Sequence, residues 1–501
     1  MDVSSMPRIG TVDERFQSYN IEMAAVTGAE FWKPYGAAAN ASSAAADAPA
    51  GMNPDLFEYR PPRDLSNPRL RVLAEALGPA YVRVSGTWAN STYFADTDNP
   101  PVAPPEGFNG VLTRDQWRGV IEFADGVDAK VVSSFAISPG ARDASGTWTP
   151  ELARRWLDYT RSVGGEIAAA EFMNEPNAAA MGGAPRNYDA AAYGRDFKLF
   201  KAFVEQASPG TTILGPGSVG EAPASWGAAG ANLGDLFAAA GMITSEDMLA
   251  AAGPGVDGFS YHHYNAGSQR CASAGLPQTT RDEALSAEFL NRTNETRAFY
   301  AGLRDLFEPG KPMWLTEVAD AACGGNPWAG TFLDSFRYVD QLGLLAREGV
   351  QVVMHNTLES SDYALVDEND FTPKPTYWAA LLWRRLMGVT VLDSGVPADS
   401  GLRVYAHCQR DTPGGVTVLA INTDRDTSHQ LTLPQVAQRY TLSADPLDSM
   451  TVALNGTVLE LGPDDSLPQP AGAPIEAGEV RLEPATITFL AIAGAGNTAC
   501  R

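Results

Sequence analysis

Between about Gln17 and Arg385 the chain alternates short apolar runs with longer amphipathic segments, and this alternation restricts its fold more than any other feature. Repeated strand and helix units bury a parallel sheet under helices. The candidate strands are Ser18 to Met23, Tyr81 to Val84, Lys130 to Ala136, Ile167 to Phe172, Thr212 to Gly215, Gly258 to Tyr261, Met313 to Thr316 and Val350 to His355. Helices are expected at Pro68 to Leu77, Asp115 to Asp125, Pro150 to Val163, Ala190 to Ala207, Ala284 to Leu306 and Phe332 to Glu348. Eight such strands suggest closure into a (β/α)8 barrel. An open doubly wound sheet is the alternative, but no Gly-x-Gly-x-x-Gly follows the first strand.

After about Met387 the pattern changes to period two, with strands at Val389 to Asp393, Leu402 to Cys408, Val416 to Asn422, Thr427 to Leu433, Arg439 to Ala444, Val452 to Leu454 and Ala485 to Ile492. Such a half reads as a β-sandwich. The expected class is therefore α/β: a TIM barrel over residues 16–386, and a smaller all-β sandwich over 387–501 with 1–15, where Arg8 to Val12 adds a strand. Gly462 to Gly478 reads as a surface loop, and the Ala-rich Ala37 to Gly51 as a long loop near the barrel mouth.

Charge and composition narrow the class of function. A formal net charge of -24 argues against sequence-independent nucleic-acid binding, which relies on clustered Lys and Arg. It also gives no long-range attraction to a polyanion, so an acidic substrate must be held by local groups. No run approaches the roughly 20 apolar residues of a membrane helix, and Met1-Asp2-Val-Ser-Ser lacks the regions of a signal peptide. The four cysteines form no Cys-x-x-Cys spacing. A bridge between Cys408 and Cys500 would tie the tail to its own domain and favour an oxidising compartment; buried reduced thiols are the competing reading.

Two glutamates stand in unlike contexts, Glu175 in Glu171-Phe-Met-Asn-Glu175-Pro-Asn177 and Glu317 in Met313-Trp-Leu-Thr-Glu317. Each ends a predicted strand, at the sheet edge where barrel enzymes keep their catalytic groups. Retaining glycoside hydrolysis needs one acid and one nucleophilic carboxylate about 5 Å apart, with no cofactor and no metal. Asn174 places an amide beside Glu175, and Pro176 predicts an extended exit that keeps Glu175 out of a helix. Tyr261-His262-His263-Tyr264 closes the sixth strand, next to the strand of Glu317, where a side chain can orient that carboxylate. Adjacent histidines on a strand face opposite ways, so they cannot readily share one ion. Ser85-Gly86-Thr87-Trp88 ends the second strand, placing Thr87 either against a hydroxyl or in a plain turn. Ser360-Ser361-Asp362-Tyr363 follows the eighth, placing a phenol and amides that can hold a carboxylate, or an ordinary rim aromatic.

These residues, with Arg69 to Arg83, Asn174-Glu175-Pro-Asn177, His262-His-Tyr264, Trp314-Leu-Thr-Glu317, Gly324-Gly325, Tyr363 to Glu368 and Leu402 to Cys408, resemble the heparanases of glycoside hydrolase family 79 in order and spacing, a bacterial member in particular. The resemblance implies a retaining endo-β-D-glucuronidase acting on heparan sulfate, with Glu175 as acid/base and Glu317 as nucleophile. An exo-acting β-glucuronidase on oligosaccharides or aryl glucuronides is the alternative, and a carbohydrate-binding protein without catalysis a third. It implies that Asn174 and Thr87 touch sugar hydroxyls, that Tyr264, with His262, stands near the nucleophile, and that Tyr363 and the Gly324 backbone recognise the glucuronate carboxylate. Ser361 replaces a glycine of the animal enzymes with its amide retained, and Glu22 stands where an aspartate is expected to meet the sugar. Cys408 and Cys500 match a cysteine pair of the sandwich. Cys271 and Cys323 follow neighbouring strands six and seven, so a second bridge is expected at the cleft rim. The animal enzymes carry basic clusters and an excised linker; here Ala95 to Gly110 is a short Pro-rich loop, so no proteolytic activation is expected. Arg186, Arg195, Lys198, Arg270 and Arg281 either line a cleft for sulfated sugar or are solvated surface charges. A secreted or periplasmic monomer acting on a glucuronic-acid-containing glycan, without nucleic-acid or membrane partners, completes the expectation.

Overall fold

The computed structural model of the protein describes residues 1–35, 53–222, 241–274, 278–397 and 401–501. The expected mouth loop Ala37 to Gly51 lies outside them, as do parts of two further candidate cleft walls, Gly217 to Leu233 and Ala266 to Arg281.

Eight strands close into a barrel: β1 (Gln17–Glu22), β2 (Ala80–Ser85), β3 (Ala129–Ser134), β4 (Ile167–Glu171), β5 (Thr212–Ser218), β6 (Gly258–Tyr264), β7 (Met313–Ala319) and β8 (Val352–His355). Every neighbouring pair is parallel, including the closing β8 to β1 pair. Along these strands alternate residues face the barrel axis. Tyr81, Val132, Ala169, Leu214, Trp314, Val352 and Met354 pack together as an apolar floor, with the rings of Tyr81 and Trp314 4.9 Å apart. Two residues further along β2 and β4 come Arg83 and Glu171, so the next layer up is charged.

Strands β6 and β7 run longer than the expected Gly258 to Tyr261 and Met313 to Thr316. Their register shifts between Tyr261 and His262, and that of β7 against β8 between Leu315 and Val318. Such irregularities re-aim side chains near a strand's end. Here they bring Glu317, as well as Thr316, to contacts inside the barrel.

A nine-stranded antiparallel sheet follows the barrel, built on Met387–Leu392, Leu402–Gln409, Val416–Asn422, Thr486–Ile492 and Ala437–Ser443, with Arg8–Thr11 paired to Met387–Leu392. One face packs Val404, Val418 and Leu490 against Leu431, Leu433, Val480 and Leu482 of a two-stranded ribbon. The other face lies on the barrel helix Phe332–Arg347: the phenol of Tyr405 donates to Asp340 at 2.7 Å and Arg403 pairs with the same carboxylate at 3.1 Å. Cys408 is bonded to Cys500 and Cys271 to Cys323. The expected loop Gly462 to Gly478 is corrected in part, because Ala473–Ile475 pairs with Ala437 to Arg439 as an added edge strand. A Pro- and Gly-rich run hid a short strand whose backbone needs no apolar side chain to pair. The helices Ser245–Ala252 and Pro375–Leu386 were not anticipated. No helix among the described residues is long and apolar enough to cross a membrane.

Helix and sheet approach closely at Gly343, where an added Cβ would lie 2.3 Å from the Tyr405 ring. Tyr405 is buried and hydrogen-bonded, so it cannot swing aside. We expect Gly343→Ala to cost about 1–3 kcal/mol in urea unfolding through overpacking, with the cost removed in a Gly343→Ala/Tyr405→Leu double variant.

Candidate active site

Arg83 is the one side chain that touches most of the site, and it is 1% exposed. Its Nε donates to Glu171 at 2.9 Å, Nη1 to Glu317 at 2.8 Å, and Nη2 to the Asn174 side-chain oxygen at 2.7 Å. Burial alone would lower its pKa, but the charges of Glu171 and Glu317 outweigh this and hold it above its ordinary value. Glu171, fully buried, also accepts from Ser260 and Thr316, each at 2.8 Å. Burial pushes its carboxyl up, yet Arg83, then His262 and the two hydroxyls, bring it below the usual carboxylate range.

Glu317 accepts on both oxygens, from Arg83 and from the Tyr264 phenol at 2.6 Å. Glu175, by contrast, accepts among the described residues only from His262 Nδ1, at 3.0 Å. The other ring nitrogen, Nε2, lies 3.3 Å from Arg83 Nη2. Since a guanidinium can only donate, Nε2 is the acceptor and Nδ1 carries the hydrogen. Burial pushes the His262 pKa down to about 4, so the ring is neutral. Burial pushes Glu175 up to about 7, only partly opposed by Arg83. A neutral Glu175 that accepts on Oε1 bears its proton on Oε2, away from the histidine.

A carboxylate oxygen of Glu175, one of Glu317 and a ring nitrogen of His262 lie within 4.8 Å of one another. This spacing also invites a metal, but the Arg83 guanidinium already faces the group, and His262 has no free lone pair toward Glu175. Two carboxyls so close, one shifted toward its protonated form and one held by donors on both oxygens, match the separation needed for an acid and a nucleophile that flank the anomeric carbon from opposite faces, about 5–5.5 Å.

Glu175 departs from the expected extended backbone. Its φ of 46° and ψ of 62° are left-handed. Asn90 explains the departure, since its side-chain oxygen takes the Asn174 N–H at 2.8 Å and its amide donates to the Asn174 carbonyl at 2.9 Å. That pair of bonds fixes the peptide before Glu175 and turns its carboxyl over the barrel.

Glu22 lies at the end of β1, with Asn356 Nδ2 3.2 Å from its Oε1 and 3.0 Å from the phenols of Tyr264 and of Tyr363. Its burial, then the charge of Glu317, raise its pKa well above the usual carboxylate range. Gly86 is obligatory here, because an added Cβ would sit 1.8 Å from Glu22 Oε2. Thr87 follows it, partly exposed, with its hydroxyl outside this network among the described residues.

Tyr363 is 2% exposed and its ring centroid is 6.5 Å from that of Tyr264. Gly324, with φ of 80°, and Ser361, with φ of 76°, bring two turns together, and the Ser361 hydroxyl donates to the Gly324 carbonyl at 2.8 Å. Lys374 Nζ holds the Asp362 carbonyl at 2.9 Å from beneath. With these carbonyls occupied, the N–H groups of Gly324 and Tyr363 make no hydrogen bond among the described residues. Glu22, Asn174, Glu175, His262, Tyr264, Glu317 and Tyr363 are thus linked through Arg83 and Asn356 into one network at the carboxyl ends of the strands, Gly324 and Ser361 are bonded to each other, and Thr87 stands outside the network among the described residues. Arg83, Glu171, Asn90 and Asn356 went unassigned in the sequence. A charged residue inside the apolar run Tyr81 to Val84, with a second after Ile167-Ala-Ala-Ala170, was the available sign of a buried ion pair.

A closed barrel with two carboxyls facing each other over its mouth defines a sugar-cleaving enzyme of the barrel type. The chain belongs to glycosyl hydrolase family 79, whose N-terminal domain matches residues 64–343, and it is a glycoside hydrolase. It is 28% identical to heparanase of Mus musculus over 500 residues, covering 87% of this chain and 88% of that one. Over 251 residues, 48% of this chain and 46% of the other, it is 30% identical to baicalin-β-D-glucuronidase of Scutellaria baicalensis. Among solved structures, a 4-O-α-L-rhamnosyl-β-D-glucuronidase from Fusarium oxysporum superposes with a TM-score of 0.65 at 15% identity, covering 97% of this chain and 99% of that one. That likeness shows the fold.

Arg83→Met should leave Glu171 buried without its cation and cost about 3–5 kcal/mol in chemical unfolding. Adding Glu171→Met should recover much of that loss, a coupling that a double-mutant cycle reads directly.

Proposed function

We propose that the chain is a retaining β-D-glucuronidase, with Glu175 as general acid/base and Glu317 as nucleophile. The observation that carries this reading is the pair of carboxyl groups within 4.8 Å, the acid neutral and the nucleophile held by Arg83 and Tyr264. In the first step Glu175 Oε2 gives its proton to the glycosidic oxygen while Glu317 attacks the anomeric carbon, forming a glycosyl ester. His262 N–H keeps Glu175 Oε1 occupied, so the proton can leave only from Oε2. In the second step Glu175, now a carboxylate, takes a proton from water that attacks the same carbon. Esterification removes the Glu317 charge, and Arg83 then keeps Glu171 as its anionic partner.

Glucuronate at the cleaved position is supported by the family and by the names of its members. It is further supported by the Tyr363 phenol and the unoccupied Gly324 amide, which offer donors to a carboxylate. Asn174 has its oxygen turned to Arg83, leaving its amide hydrogens for a sugar hydroxyl. Glu22 and Thr87 are assigned to sugar contacts on the same reading. The polymer reading, endo cleavage of heparan sulfate, follows from the heparanase relatives. One observation favours the exo alternative on small glucuronides: of the cations weighed as a sulfate cleft or as surface charges, Arg195 pairs with Asp196, Lys198 with the Ala251 carbonyl and Arg281 with Asp448. The same proposal divides the chain into a catalytic barrel, 16–386, and a supporting β-sandwich domain, 1–15 with 387–501. Action outside the cell or in the periplasm, as a monomer, is part of it.

Glu317→Gln should lower aryl β-glucuronide turnover by at least about a thousandfold with folding intact, since it removes the nucleophile. Proton NMR of the first product should show the β anomer before mutarotation; an α first product would exclude retention. Because the acid must be protonated and its pKa is raised to about 7, kcat/KM should hold below that pH and fall as pH rises through it. Glu175→Gln should abolish this alkaline limb on substrates with activated leaving groups. Sizing of heparan sulfate digests separates the two substrate readings, since internal cuts shorten the polymer early and exo action leaves its length nearly unchanged.

A further inference from the structure

Arg270 stands apart from the other cations. Its side chain is 7% exposed, and Nη2 is paired with Asp362. Nη1 is buried and makes no hydrogen bond among the described residues. The guanidinium lies 4.1 Å over the ring of Tyr35, whose hydroxyl takes the Arg270 backbone N–H at 3.2 Å. A Cβ built on Gly324 would fall 2.8 Å from Nη1 and 2.7 Å from the Trp32 ring, so the unpaired donor rests directly against the Gly324 turn. The Cys271–Cys323 bridge joins the residue after Arg270 to the residue before Gly324. Ion pair, aromatic stack and bridge together hold one unused N–H of a permanent cation against the Gly324 turn, whose own N–H is also unused among the described residues, while the Tyr363 phenol, which accepts from Asn356, keeps its hydrogen to donate.

A buried donor without a partner is destabilising, more so when charged, unless a ligand completes it. The donors gathered here ask for an anion with planar or clustered oxygens. We propose that Arg270 supplies the positive charge of the uronate site: its Nη1 donates to the carboxylate of the sugar at the cleaved position, beside Gly324 N–H and the Tyr363 hydroxyl. The inference rests on the glucuronidase reading and deepens it, since phenol and amide alone would hold a carboxylate without a formal charge. Asp362 takes one edge of the guanidinium and thereby aims the other. The bridge fixes the distance between cation and amide, so the site is formed before the sugar arrives. Arg270 would then set the preference for a uronic acid over the corresponding neutral hexose, while leaving the chemistry at the anomeric carbon to the two glutamates.

The test compares wild type and Arg270→Gln on 4-nitrophenyl β-D-glucuronide and 4-nitrophenyl β-D-glucoside, with thermal unfolding recorded for both proteins. The expected result is a fall of about 10- to 100-fold in kcat/KM on the glucuronide, carried mainly by KM, with the glucoside rate unchanged. Arg270→Lys should restore part of the loss. Equal losses on both substrates would assign Arg270 to structural support and overturn the inference. So would unaltered glucuronide hydrolysis, including the case in which only a sulfated oligosaccharide is affected, which would move the contact to a sulfate on a neighbouring ring. Those outcomes leave the glucuronidase reading standing. A wild-type enzyme that cleaves the glucoside but not the glucuronide would instead overturn that reading, and this inference with it.

Discussion

A guanidinium closed inside a barrel has to be neutralised on the spot, and the rest of the site is arranged around that necessity. Arg83 stands on an apolar floor, shielded from water, where an unpaired charge would cost several kcal/mol. Glu171 answers it from β4 and Glu317 from β7, and the neutral amide of Asn174 and ring of His262 complete its donors. With two anions already gathered around one cation, further negative charge is disfavoured. Glu22 and Glu175 are pushed toward their protonated forms first by their own burial, with the charge of Glu317 adding at Glu22 and that of Glu171 at Glu175, while Arg83 opposes both shifts. Glu175 and Glu317, chemically the same side chain, thus meet unlike partners: Glu317 accepts from Arg83 and Tyr264, whereas Glu175 meets only the His262 ring among the described residues.

The positions of the strands follow from local pattern, because each of the eight is a short apolar run between amphipathic segments. Their ends were less legible. Strands β6 and β7 continue past polar residues, His262, His263 and Glu317, which look like strand terminators but are satisfied inside the barrel. The left-handed backbone at Glu175 was also hidden. Pro176 forbids a right-handed helical residue before it and leaves extended and left-handed forms available; the choice is made by Asn90, 85 residues upstream, through two bonds to the Asn174 peptide. The glutamate pair was legible because strand ends in a barrel converge. Arg83 and Glu171 were not assigned, since each looked like an isolated charge until the barrel closed and brought β2 to within reach of β4 and β7.

The sheet that follows the barrel acts on the site indirectly. Its inner face presses Tyr405 and Arg403 onto the helix Phe332–Arg347, which leads directly from the β7 loop toward β8. Earlier on that helix Arg337 pairs with Asp334 at 2.7 Å, and the N–H of Gly330 donates to the same aspartate at 3.1 Å. Burial pushes Asp320 up to about 7, with the charge of Asp334 adding to it. A carboxyl shifted toward its protonated form thus lies against the Gly324–Gly325 turn, where a full negative charge would repel the acidic sugar of the proposed reading.

The apolar floor of Tyr81 and Trp314 also governs traffic. It closes the barrel from below, so whatever reaches the anomeric carbon must come through the mouth by the path that the departing aglycone vacates. On the proposed mechanism, any alcohol small enough to enter behind the leaving group competes with water for the same face of the sugar, and the lifetime of the glycosyl ester against such acceptors, as much as its formation, would decide whether the enzyme trims glycans or transfers their sugars to new partners.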